Sequence, residues 1–185
     1  RDAGPTMIVV HAGHRVDTAT RQTGLFPPER DGSVYRRLYL MLMELRPRVV
    51  VTAAAGGADL LMLRAAEDLF IPRVVALPLP VDDFLRRSVA DQGVRWIEAF
   101  ERSLSCADTV VTTDLSEHDD WPQRGNDLLH HCAAEACLSS NGEAEPVVAV
   151  VVRNRNCPGS SGTADFAAKA ALRGWPIHVV DPTLD

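Results

Sequence analysis

Val147-Val148-Ala149-Val150-Val151-Val152 precedes Pro158-Gly159-Ser160-Ser161-Gly162-Thr163-Ala164-Asp165, which leads into Phe166-Ala167-Ala168-Lys169-Ala170-Ala171-Leu172. The first run is unbroken and mostly β-branched, so it reads as a strand buried on both faces, as in a parallel sheet covered by helices. The last run reads as a helix. The small-residue turn between them leaves backbone N–H groups unpaired at a helix start, where the helix dipole favours an anion. Glycine permits close backbone approach, and the hydroxyls of Ser160, Ser161 and Thr163 add hydrogen-bonding capacity. The alternative for such a turn is a plain strand-to-helix connection with a Ser or Thr cap.

The same alternation extends back to the N-terminus. Met7 to Val10, Val49-Val50-Val51, Val74-Val75-Ala76-Leu77 and Thr109-Val110-Val111-Thr112 read as strands, and Pro176 to Val180 as the closing one. Between them, Val34, Leu38, Met41, Leu42 and Leu45 recur at helical spacing up to Pro47, and Leu61, Ala65 and Leu69 mark a second helix. Asp82 is a candidate cap for a short helix through Phe84 and Leu85. Ile97, Phe100, Glu101 and Leu104, preceded by Val94, mark a longer helix, and Leu129, Cys132, Ala133 and Ala136 another. The expected fold is α/β: a Rossmann-like, doubly wound, mainly parallel sheet of about six or seven strands with helices on both faces.

With 185 residues, 46% of them hydrophobic, the chain suits one globular domain spanning 1–185. Residues 1–6 read as a trimmed linker or boundary, so the expectation is one domain taken from a longer protein. No apolar run reaches membrane-spanning length and no signal-peptide pattern is present, which leads us to expect a cytoplasmic location. Net charge is −6 and no basic stripe stands out, which argues against nucleic acid as a partner. The four cysteines, Cys106, Cys132, Cys137 and Cys157, match no zinc or disulfide spacing and read as reduced thiols. His130-His131-Cys132 cannot chelate together from adjacent helix positions, so no metal is expected.

The candidate site residues all lie after strands, where parallel sheets bind ligands. After the first strand come Gly13, His14, Arg15 and Asp17. Gly13 permits a tight turn and Arg15 offers a planar fork for phosphate. Asp17 can accept from ribose hydroxyls or a base, whereas His14 is the weaker candidate and reads first as a satisfied structural histidine. After the second strand come Ala55, Gly56, Gly57 and Asp59, with Asp59 either a ligand contact or a helix cap. Phe26-Pro27-Pro28 can stiffen a loop over the pocket, with Phe26 stacking on a base or packing in the core. Asn126 is read as a cap or a ligand contact at a helix start. Arg153 and Arg155 precede the last glycine turn.

Taken in order, these pieces resemble the SLOG superfamily, the nucleotide-binding Rossmann-like group named for the DNA-processing (Smf) and Lonely Guy families. Gly13-His14-Arg15 resembles its first-strand turn, Ala55-Gly56-Gly57-Ala58-Asp59-Leu60-Leu61 its second-strand turn, and Pro158-Gly159-Ser160-Ser161-Gly162-Thr163 the Lonely Guy phosphate turn. The likeness is closer still to bacterial SLOG modules found beside signalling and conflict-system effectors. There a Gly-His-x-x-Asp turn, a Phe-Pro loop, a Pro-x-x-x-Phe segment and a Gly-Thr-Ala-Asp turn recur. Gly13-His14 with Asp17, Phe26-Pro27, Pro80 with Phe84, and Gly162 to Asp165 match them.

The resemblance implies a sensor domain that binds a phosphate-bearing nucleotide, NAD-derived or cyclic, and regulates a fused or associated effector, with a homodimer as a family expectation. The implied ligand residues are Gly13, His14, Arg15, Asp17, Ala55, Gly56, Gly57, Asp59, Gly159, Ser160, Ser161, Gly162, Thr163 and Asp165, with no separate cofactor required. Lonely Guy enzymes cleave an N-glycosidic bond with a glutamate three residues after the turn threonine. Phe166 stands there and can transfer no proton. An enzyme would need Asp165 or Asp17 in that role. The remaining alternative is a protein-interaction module without a ligand.

Overall fold

The structure, a computed structural model, describes residues 7–138, 144–156 and 162–184. Its strands are β1 (Ile8–Gly13), β2 (Val49–Thr52), β3 (Arg73–Leu77), β4 (Thr109–Thr112), β5 (Val147–Val152) and β6 (Ile177–Val180). The helices are α1 (Asp31–Leu45), α2 (Ala58–Asp68), α3 (Val81–Ser88), α4 (Val94–Ser105), α5 (Trp121–Ala136) and α6 (Gly162–Leu172). Every strand pairing among the described residues is parallel, in the order β4-β3-β2-β1-β5-β6. Gly13 pairs with Val152 and Ile8 with both Val49 and Val147, which makes β1 the central strand. The fold is Rossmann-like and doubly wound. Its strand order reverses between β1 and β5, the position at which such sheets open a crevice for ligands.

The pleat sorts the valine runs into two cores. Val9, Val50, Val75, Val150 and Val152 face α1, α2, α3 and α4, whereas Val10, Val51, Ala149 and Val151 face α5 and α6. This is why the runs do not alternate with polar residues. The exception is β4. Thr109, Val110 and Thr112 are exposed, because β4 is the edge strand.

Helix α1 buries Val34, Leu38 and Leu42 along one stripe and ends at Arg46, in the left-handed conformation, whose N–H donates to Leu42 O. Helix α4 buries Trp96, Phe100 and Ser103, so its inward stripe lies one position off the stripe read from Ile97 and Leu104, and Val94 is exposed. Helix α3 starts behind Pro80 without a side-chain cap, and Asp82 stands inside its first turn, where a carboxylate favours the helix dipole but does not cap. Phe26 is fully buried, which resolves that residue to packing. Cys132 is buried, Cys137 partly so, and Cys106 exposed, all three as free thiols. No helix of the described residues is long and apolar enough to cross a membrane.

Candidate ligand-binding site

The carboxyl ends of β1, β2 and β3 and the start of α6 enclose a cavity of about 270 Å³. Ala12 and Gly13 come from β1, Ala53 and Ala55 from the end of β2, Pro78 from the end of β3, and Gly162 and Thr163 from the first turn of α6. Small residues at the strand ends leave this space open. Phe84 and Trp121 form an aromatic wall, with ring centroids 6.4 Å apart in an edge-on arrangement. Gly13 is required by packing: a Cβ there would lie 2.3 Å from Ala58 Cβ and 3.0 Å from Val152 Cβ.

Two guanidinium groups, Arg15 and Arg21, line the cavity. Asp91 pairs with both, hydrogen-bonding Arg15 and standing 3.8 Å from Arg21 Nε. Burial lowers the pKa of Arg15, opposed by Asp91. Arg21 also donates to Val16 O at 2.6 Å. One carboxylate shared by two cations leaves local positive charge. The next residue, Gln92, bolts the same segment to both turns, with Nε2 donating to Gly56 O at 2.6 Å and to Val16 O at 3.1 Å.

At the polar side of the cavity stand His14 and Asp59, 7% and 5% exposed. His14 Nδ1 shares a 3.4 Å hydrogen bond with Thr163 Oγ1. Burial, with Arg153 nearby, lowers the His14 pKa against the opposing pull of Asp17 and Asp181, so the ring is neutral at pH 7. Asp59 does not cap α2. Its Oδ2 accepts from Ala55 N at 3.2 Å, bracing the turn after β2, and its Oδ1 lies 3.4 Å from His11 Nδ1. His11 is fully buried on β1 and also contacts Thr52 Oγ1 at 3.1 Å. A lone histidine in a valine strand gave no signal of this buried polar cluster.

Several expected contacts are used elsewhere. Asp17 Oδ2 accepts from Gly24 N at 2.8 Å and Oδ1 from Thr23 N at 3.2 Å, so this carboxylate closes the 17–24 loop and does not line the cavity. Gly56 and Gly57 do not line it either. Gly56 N–H donates to Ser88 O at 3.0 Å, and a Cβ on Gly56 would fall on the Gln92 side chain. Gly57 has φ 129° and lets the β2 turn press on the backbone of His14, Arg15 and Val16. These glycines weld two turns together and do not form a phosphate cradle.

Asp165 faces α5, its Oδ2 accepting from Asn126 Nδ2 at 2.8 Å and pairing with Lys169 at 3.0 Å. Asn126 lies within α5, past any capping position, and also donates to Gly162 O at 2.7 Å while lining the cavity. It therefore fixes the start of α6 beside the cavity. We expect Asn126→Ala to lower the unfolding free energy by about 1–2 kcal/mol, measurable by urea denaturation, because it removes the amide that bonds both Gly162 O and Asp165 Oδ2. Gly159, Ser160 and Ser161 lie outside the described residues, as do Pro158 and Cys157. Arg155 N–H donates to Asp181 Oδ2, tying that segment to the end of β6. Among the described residues no group of three His, Cys, Asp or Glu side chains is placed to hold a metal ion.

No family model matches the chain, and no curated protein does. Among solved structures it is similar to the molybdenum cofactor carrier protein from Chlamydomonas reinhardtii, at 15% identity and TM-score 0.39 over 96% of this chain and 91% of the other. It is similar also to the molybdenum cofactor binding protein from the phototrophic bacterium Rippkaea orientalis, at 13% identity and TM-score 0.38 over 98% and 93%. A third is DNA processing protein A from Streptococcus pneumoniae, at 16% identity and TM-score 0.33 over 97% of this chain and 59% of the other.

Proposed function

We propose that this domain is a nucleotide sensor: it binds a phosphate-bearing nucleotide, of the NAD-derived or cyclic signalling kind, and regulates a linked effector. The observation that carries this reading is the cavity at the carboxyl edge of the sheet, which combines the first turn of α6, two arginines and an aromatic wall. The α6 dipole and the Arg15–Arg21 pair favour phosphate, and Phe84 and Trp121 offer a face to a base. At about 270 Å³ the cavity lies just below the usual range of ligand pockets, ~300–1,000 Å³, and suits one nucleotide unit. The link to an effector, and a homodimer as its setting, rest on the resemblance to SLOG signalling modules.

On this reading the output runs through Asp91. A ligand phosphate competes with Asp91 for Arg15 and Arg21, and Asp91 sits in the turn at Ala90–Gln92 that leads directly into α4. Weakening that ion pair changes how α4 is held, which is a differential contact of the kind a population shift needs. Binding is favoured over N-glycosidic cleavage because Asp165 and Asp17 are engaged away from the cavity and Phe166 is fully buried.

The test is thermal unfolding against a panel of mononucleotides, NAD and its cyclised products, and cyclic dinucleotides. A ligand at ~100 times its Kd stabilises the fold by about 2.7 kcal/mol. We expect one class to do so and to be recovered intact; recovery of free base would replace the sensor by a hydrolase, and no shift in any class would favour an interaction module. Gly162 lines the cavity and a Cβ on it would meet nothing within 4 Å, so Gly162→Trp is expected to obstruct the cavity without a clash at Cβ. We expect this variant to keep its circular dichroism spectrum and lose the ligand-induced shift.

A further inference from the structure

Asp59 Oδ1 and His14 Nε2 are buried without a hydrogen-bond partner, and both residues line the cavity. Buried polar atoms of this kind are uncommon, and each costs free energy until something satisfies it. Asp59 is oriented by Ala55 N, which donates to Oδ2, and by His11, whose Nδ1 lies 3.4 Å from Oδ1 itself, and His14 is held through Nδ1 by Thr163. The backbone of the turn and the buried histidine thus fix the carboxylate of one residue lining the cavity, and the first turn of α6 fixes the ring of another.

The chemistry of these atoms restricts what the ligand presents to them. An ionised carboxylate oxygen only accepts hydrogen bonds and repels phosphate. A neutral imidazole nitrogen either donates or accepts, according to its tautomer. Hydroxyl groups satisfy both conditions, since each can donate to Asp59 and either donate to or accept from His14. Arg15 and Arg21, by contrast, supply donors and positive charge. We infer that His14 and Asp59 are the specificity pair of the site and read sugar hydroxyls, so that the ligand enters with its ribose against this pair and its phosphate towards Arg15, Arg21 and α6. This assignment rests on the nucleotide reading above and replaces Asp17 and Asp165 as the groups addressing ribose. It predicts a ligand whose ribose hydroxyls are free, and rejection of its deoxy form.

The probes are the ribo and 2′-deoxy forms of the four nucleoside 5′-monophosphates, together with ribose 5-phosphate and 2-deoxyribose 5-phosphate. They are titrated into the whole chain, with stabilisation read by thermal shift and affinity by calorimetry. We expect at least one ribo form to bind, and its deoxy partner to bind about tenfold or more weakly, since a site built around a hydroxyl rejects the analogue lacking it. Asp59→Asn and His14→Phe should each reduce the ribo-to-deoxy ratio towards one. If Asp59→Asn does not fold, the comparison on the unaltered chain and on His14→Phe decides. Equal binding of ribo and deoxy forms, or an unchanged ratio in a folded variant, would overturn the hydroxyl assignment while leaving nucleotide binding in place. Absence of binding by every one of these probes would overturn this inference, while the nucleotide reading is overturned only if NAD, its cyclised products and the cyclic dinucleotides give no shift either.

Discussion

Gly57→Ala is expected to destabilise the domain by about 3–5 kcal/mol, adding strain in a backbone region open essentially only to glycine to overpacking against rigid atoms. Gly57 has φ 129° and ψ −126° as the residue just before α2. A Cβ there would lie 2.6 Å from Val16 N, 2.8 Å from His14 O and 2.9 Å from Arg15 Cα. All three are backbone atoms of the facing turn, so no side-chain rotation relieves the contact. The neighbouring hydrogen bonds, Val16 N–H to Gly56 O and Ala58 N–H to His14 O, both 3.2 Å, would have to lengthen as the turns part. Because domains of this size are stable by only ~5–15 kcal/mol, the variant should be marginal at 37 °C. Urea unfolding followed by circular dichroism measures the change. Gly24→Ala is the control. Its φ is 67° and a Cβ would meet nothing within 4 Å, so it should cost about 1–2 kcal/mol. Equal losses in the two variants would show that the welded turns are not what makes Gly57 necessary.

Acid should destabilise the protein through His130 by about 3 kcal/mol between pH 6.5 and 4. His130 is 1% exposed on α5, stacked on Trp175 at 4.9 Å and edge-on to Phe166 at 4.8 Å. Burial is the main cause that lowers its pKa from 6.5 to about 4; Arg173 and Lys169 act in the same direction, and a backbone hydrogen bond at Phe166 and Asp127 oppose them. The folded-state value lies below the unfolded one, so the unfolded chain takes up the extra proton first. This contribution is complete above pH 6.5 and is lost as pH falls to about 4. Carboxylates titrate in the lower part of the same range, so the informative quantity is a difference. His130→Leu keeps an apolar side chain between the two rings and removes the titration. Its urea midpoint should fall less steeply with pH than that of the parent chain, and parallel curves would rule His130 out as the acid-sensitive group.

The strands, their parallel arrangement and the ligand edge of the sheet were legible in the linear chain. Val49-Val50-Val51 and Val147 to Val152 have no polar face, so they need helices on both sides, and a chain alternating such runs with helices has few ways to close. Gly13, His14, Arg15, Asp59, Gly162 and Thr163 were also legible as a group, since residues that follow parallel strands gather at one edge. The sequence alone overestimated the burial of β4, because Thr109-Val110-Val111-Thr112 carries no mark of whether a neighbour lies beyond it.

Side-chain roles within the gathered set were a matter for the tertiary structure alone. Gly56 and Gly57 read as phosphate-turn glycines, yet they are required by the approach of the β1 turn and of Gln92, which is 36 residues from Gly56. Asp17 reads as a ribose acceptor but is captured by the amides of its own loop, and Asp165 by Asn126 and Lys169. Arg21 on the cavity wall and Asp91 behind it were not singled out in the linear chain, and Asn126, read there as a cap or a ligand contact, stands inside α5 and lines the cavity. Hydrophobic periodicity and turn chemistry act over a few residues and are written in the order of the chain. The satisfaction of a buried carboxylate or amide depends on whichever partner the folded chain brings within hydrogen-bonding distance, and that is set only once the layers have packed.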